Sequence, residues 1–144
     1  MASRRKGRIL AFQSLYAWDL SGSLPDGNLP VGSLPAGNLP DTEVELPDFS
    51  RLMISGTIEN IAAIDGMIRK HLKNWDISRL NRVDLALLRI SVYALMYQID
   101  TPKSVIINEA IGISKEFGTD DSYRFINGVL DGIRKSLESL SIEN

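Results

Sequence analysis

The chain has 144 residues, 44% of them hydrophobic and 24% charged, a length and composition that fit one ordinary globular domain, 1–144, built round a single core. It has no cysteine, which excludes a disulfide framework and thiolate metal sites, and its one histidine, His71, cannot form an imidazole cluster. No apolar run reaches the length of a membrane span and no signal-type stretch follows the N-terminus, so a cytoplasmic protein with no membrane contact is expected.

The formal net charge of −2 hides a local excess, because Arg4, Arg5, Lys6 and Arg8 place four positive charges within five residues and no acid appears before Asp19. From Arg4 to Leu20 the residues Ile9, Phe12, Tyr16 and Leu20 recur at spacings of three and four, which predicts a helix with one buried stripe and Ser3 as its N-cap. Arg4 and Arg8 fall together beside that stripe, so this helix carries a basic end on a partly exposed face, suited to phosphate. Tyr16 fits a core position and a base-stacking position equally well.

Four tandem pentapeptides follow, beginning at Gly22, Gly27, Gly32 and Gly37, each with Leu-Pro at its third and fourth positions. A proline in every five residues forbids a helix, and four copies are too few for a stacked solenoid, so residues 21–46 read as a long loop insert after the first helix. After Pro47 the helical pattern restarts at Phe49 and Leu52 and continues through Ile58, Ile61, Ile64, Ile68 and Leu72, with Gly56 as a candidate bend. Arg82 to Gln98 is apolar almost all round and predicts the most buried helix.

A further helix starts near Pro102 or Ser104, carries the stripe Ile106, Ala110, Ile113 and Phe117, and ends at Gly118. Thr119 then caps a last helix with Asp120 and Asp121 in its first turn and Ile126, Leu130, Ile133 and Leu137 on its buried side. No two-residue alternation bounded by hairpin turns occurs, so the fold class is all-α. No nucleophile with a base, metal cluster or phosphate-cradling loop is present, so neither an enzyme nor a cofactor is expected. His71, between Lys70 and Lys73, reads as a surface residue at a helix end, and Asn108 and Asn127 read as groups bridging the bundle.

The segment Arg4-Arg5-Lys6-Gly7-Arg8 through Gln13, Tyr16 and Trp18 resembles the first helix of the NusB family of transcription antitermination factors. Val105-Ile-Ile-Asn108-Glu109-Ala110, Lys115-Glu-Phe117-Gly118, Asp121-Ser122 and Phe125-Ile-Asn127-Gly128-Val129-Leu130-Asp131 are similar to its C-terminal pattern, as are Asp65-Gly66 and Leu88-Arg89-Ile90 with Tyr93 and Leu95. The resemblance spans nearly all of the chain except 21–46, where the repeat departs from it.

The resemblance implies two small helical bundles and an adaptor that pairs with NusE, a small-subunit ribosomal protein. The pair would bind single-stranded boxA RNA in ribosomal RNA leader transcripts and act on RNA polymerase indirectly. Carried across by motif, the RNA-contacting candidates are Arg4, Arg5, Lys6, Arg8, Tyr16, Asp121, Ser122 and Phe125, and Asp84 falls at an acidic position on the NusE-binding side. Phe125 fits a core stripe at least as well, and Asp121 repels phosphate, so its role would be a base-edge bond, local organisation or restraint on affinity. Two other readings stand beside this one. A NusB-like domain also precedes the catalytic domain of some RNA cytosine methyltransferases, although this chain ends at Asn144 with no methyl-donor unit. A homodimer would instead cover the partner surface with a second copy.

Overall fold

The computed structural model describes residues 4–21, 48–72 and 76–142, and among these every regular element is helical. The helices are α1 (Arg4–Ser21), α2 (Asp48–Glu59), α3 (Ile61–Lys70), α4 (Arg82–Tyr97), α5 (Lys103–Phe117) and α6 (Ser122–Ile142), with a 3-10 turn at Ile77–Arg79. The pentapeptide repeat and the expected cap Ser3 lie outside the described residues. No helix among the described residues is long and apolar enough to cross a membrane.

Helix α4 organises the rest. Its start is fixed by Asn81, whose Oδ1 accepts the Val83 N–H at 2.8 Å, satisfying one of the donors that the first turn leaves open. From Asp84 to Leu95 every residue except Arg89 is buried, and all five other helices pack against α4. Helix α1 packs on α2 and α4, α3 sits mainly on α4, and α5 and α6 pack on each other and on α4. Helices α2 and α3 touch each other only slightly and are held together through α4.

Helix α1 is more deeply enclosed than a single stripe predicts. Residues 10–15 are buried without interruption, polar Gln13 and Ser14 included, while Leu20 is 60% exposed. Its small residues admit neighbours on several sides. A Cβ on Gly7 would stand 2.9 Å from the Phe49 ring, and Ser50 Oγ donates to the Gly7 carbonyl at 2.8 Å, so α1 and α2 meet almost backbone to side chain.

The pattern after Pro47 divides into two helices at Asn60, not at Gly56. The Gly56 carbonyl accepts both the Asn60 backbone N–H at 3.1 Å and Asn60 Nδ2 at 2.8 Å, which closes α2 before α3 begins. Gly56 is a packing residue, since a Cβ there would lie 2.3 Å from the Tyr93 ring.

Three further expectations are corrected. Asp120 and Asp121 precede α6 in a turn instead of occupying its first turn, because the Ser122 hydroxyl accepts the Thr119 N–H at 2.9 Å and the helix starts at Ser122. His71 is half-buried and ties α3 to α6 through Met67 O and Ser136 Oγ, both at 3.0 Å. Asn108 and Asn127 are exposed and do not bridge the bundle.

Candidate nucleic-acid interface

The basic segment opens α1, and the helix sorts its four cations by face. Arg4, Arg5 and Lys6 are exposed, whereas Arg8 is only 5% exposed and forms an ion pair with Glu109 of α5. The expected partly exposed position for Arg8 is therefore corrected: α5 and α2 close over that side of α1. Burial, and then the charge of Arg4, lower the Arg8 pKa. Arg4 stands 4.3 Å above the Phe49 ring centre and Arg8 lies 5.4 Å from it, so the aromatic face of α2 helps hold this end. Arg5 reaches across to Glu116 at 3.0 Å, both side chains remaining about half exposed.

A second feature lies where α4, the α5–α6 turn and α6 converge. Arg79, Leu80, Asn81, Asp84, Thr119, Asp121, Ser122 and Phe125 line a groove of about 290 Å³. Asp84, Asp121, Ser122 and Phe125, far apart in sequence and predicted for two different partners, thus share one cavity. Asp84 is 8% exposed and its Oδ1 has no hydrogen-bond partner. Burial raises the Asp84 pKa, and the hydrogen bond from Ser122 only partly opposes that rise. A buried acceptor without a donor is costly in the free protein and becomes satisfied when a ligand supplies an N–H or O–H.

The other candidates are placed individually. Ser122 is buried and Asp121 exposed, so of these neighbours one supports the groove and the other sits at its rim. Tyr16 and Phe125 are both half-buried and pack on the core, each leaving part of its ring accessible. Tyr16 is not among the groove's lining residues.

Several contacts were not visible in the sequence. Arg89 pairs bidentately with Asp65, at 2.9 and 2.8 Å, and also meets Asp19 at 3.5 Å, joining α4, α3 and α1. Asp65 and Arg89 both belong to matched segments, but their pairing is a tertiary fact that helical periodicity does not encode. Lys115, Tyr123 and Arg124 form another cluster, with Lys115 Nζ 5.0 Å and the Arg124 guanidinium 5.5 Å from the Tyr123 ring centre. Among the described residues no group of three or more His, Cys, Asp or Glu is arranged to hold a metal ion.

Comparison with known proteins identifies the architecture. The NusB family model matches residues 5–135. The transcription antitermination protein NusB of Treponema denticola is 52% identical over 131 residues, covering 91% of this chain and 95% of that protein. A solved NusB of T. maritima superposes with a TM-score of 0.78 at 32% identity, covering 93% of this chain and 92% of the other. A solved complex of the antitermination factors NusB and NusE with double-stranded RNA contains a chain that matches with a TM-score of 0.76 at 27% identity, over 92% and 96% of the two chains. Six helices in this arrangement, with matched sequence from the first basic residues to the last helix, place the chain in the NusB family of transcription antitermination proteins.

Proposed function

We propose that this chain is a non-enzymatic cytoplasmic adaptor that binds single-stranded boxA-type RNA in ribosomal RNA leader transcripts together with NusE, and through that complex acts on RNA polymerase. The observation that carries this reading is the proximity of two complementary surfaces. Arg5 contacts Glu116 at the end of α5, and the groove begins at Thr119, three residues further on. Exposed Arg4, Arg5 and Lys6 supply phosphate contacts, while Tyr16 and Phe125 offer partly exposed rings. Asp121 at the groove rim accepts base-edge donors and limits indiscriminate phosphate binding, and Ser122 orients Asp84. Asp84 serves the NusE side by accepting a donor from that protein. Arg8 contributes by anchoring the basic turn through Glu109. The solved relative bound to NusE and RNA supports the same pairing of partners.

The test measures binding of boxA RNA, a scrambled strand and a duplex at several salt concentrations, with and without NusE. Preference for boxA, increased by NusE, is expected. The three phosphate contacts of Arg4, Arg5 and Lys6 contribute about −2 to the log–log salt slope for a single strand. Equal weak binding to all three RNAs, indifferent to NusE, would refute the reading.

A further inference from the structure

The cluster of Lys115, Tyr123 and Arg124 is used by none of the packing described above. Lys115 and Arg124 are exposed, on the last turn of α5 and the first turn of α6 respectively, and Tyr123 between them is half-buried. Lys115 Nζ lies 5.0 Å and the Arg124 guanidinium 5.5 Å from the ring centre, and Arg124 Nε donates to the Tyr123 hydroxyl at 3.0 Å. These contacts hold an aromatic ring at the surface with a cation from each of two helices beside it.

The cluster also has a counterpart. At the other side of the basic turn, Arg4 and Arg8 attend the Phe49 ring on α2. Arg5 lies between the two stations, with its guanidinium 3.0 Å from Glu116, the residue next to Lys115. Exposed Arg4 and Arg5 at the start of α1 thus lie on the same side as exposed Lys115 and Arg124 at the junction of α5 and α6, with Glu116 paired to Arg5 and Asp120 and Asp121 in the turn between α5 and α6. The Phe49 ring is committed to packing at Gly7, whereas Tyr123 is absent from the hydrophobic core. Surface cations beside an accessible ring are the combination that single-stranded nucleic acid requires: the ring stacks on a base and the cations meet the flanking phosphates.

We infer that Tyr123 is a base-stacking residue for the bound RNA strand, with Lys115 and Arg124 as its phosphate contacts, so that the strand continues past the basic turn to the start of α6. This rests on the RNA-binding reading proposed above and adds three residues to it. Binding would loosen the Lys115 and Arg124 contacts with the ring and replace them with a base face and phosphate oxygens.

The experiment uses the full chain with NusE and boxA RNA carrying 2-aminopurine at successive positions. Tyr123→Leu should weaken binding about 5- to 150-fold, the range for losing one base–aromatic stack, and Tyr123→Phe should stay within about twofold of the original. At one RNA position the 2-aminopurine quenching should disappear in Tyr123→Leu and persist in Tyr123→Phe. Lys115→Gln with Arg124→Gln should make the salt slope shallower by about 1.4, two contacts at about 0.7 each. Unchanged affinity and quenching in Tyr123→Leu would overturn the inference. If Arg4→Gln, Arg5→Gln and Lys6→Gln together still abolish binding in that case, the proposed function survives without it. If the original chain shows no RNA binding with NusE, both fail. Equal melting temperatures of the Leu and Phe variants separate a lost stack from a damaged fold.

Discussion

Arg8 provides the sharpest division between a residue that touches RNA and one that shapes the surface touching it. The Arg8 side chain is 6% exposed and its partner Glu109 is 23% exposed. Replacing Arg8 with Met keeps much of its length but leaves the Glu109 carboxylate facing a dry contact. Breaking a buried pair from one side costs about 3–5 kcal/mol, and the residual exposure of Glu109 brings the expectation down to about 2–3 kcal/mol. Replacing Glu109 alone with Leu should cost at least as much, since the stranded guanidinium is the more buried partner. Substituting both should recover most of the loss, because well-packed apolar groups often replace a buried pair at little cost. Urea denaturation of the four proteins in this cycle gives the coupling directly, and the RNA salt slope measured on the same proteins gives the functional side. The expected result is a coupling of about 4 kcal/mol, since the two single losses add up while the double variant loses little, with an unchanged salt slope. A slope shallower by about 0.7 in the stable double variant would show that Arg8 meets a phosphate, and a coupling near zero would show that the pair does not hold α1 to α5.

Asp84→Asn should stabilise the free protein by about 1 kcal/mol at pH 7, since it removes a charge from a buried site with an unpartnered oxygen, while weakening the NusE complex. The sign follows from the raised pKa: both forms of the protein are protonated at Asp84 below the unfolded value, and the native-state penalty grows as pH rises through the raised folded value. The advantage of Asn should therefore vanish in melts at about pH 3, and an advantage that persisted there would contradict a charge-based cost. Gly56→Ala should cost about 1–3 kcal/mol in thermal unfolding, because its Cβ would lie 2.3 Å from Tyr93, and Tyr93→Leu in the same chain should relieve part of that clash. Arg89→Lys should cost about 2–3 kcal/mol despite keeping the charge, since an ammonium cannot reproduce the two parallel bonds to Asp65; a neutral result would reduce the Asp65 contact to a passive one.

Helix identity was legible because it depends on local periodicity, and the outcome for α4 shows why. Nine apolar residues among the twelve from Asp84 to Leu95, all of them buried, make a stretch too long for a strand, and Asn81 stands where a cap belongs. The same reasoning placed too few residues in the core of α1, because periodicity assumes one covered face and α1 is covered on several. Gly7 and Ala11 were informative in retrospect, since small residues on the supposedly outer face mark a close neighbour. Arg8 was misplaced for the same reason: a cation in a basic run looks solvated until Glu109, about a hundred residues later, is folded against it.

The candidate site divides along a similar line. Sequence resemblance supplied Asp84, Asp121, Ser122 and Phe125 as separate positions, but no one-dimensional pattern joins the start of α4 to the start of α6. Their meeting depends on Gly118, where a Cβ would stand 2.7 Å from Ser122, so the turn folds tightly enough to set the serine hydroxyl beside Asp84. The carboxylate is thereby held in a place that folding alone leaves unsatisfied. Asp84 is a buried carboxylate in a groove that exposed Arg79, exposed Asp121 and the half-buried Phe125 ring also line. A buried carboxylate with an unpartnered oxygen costs stability in the free protein, and a donor brought by a partner would remove that cost.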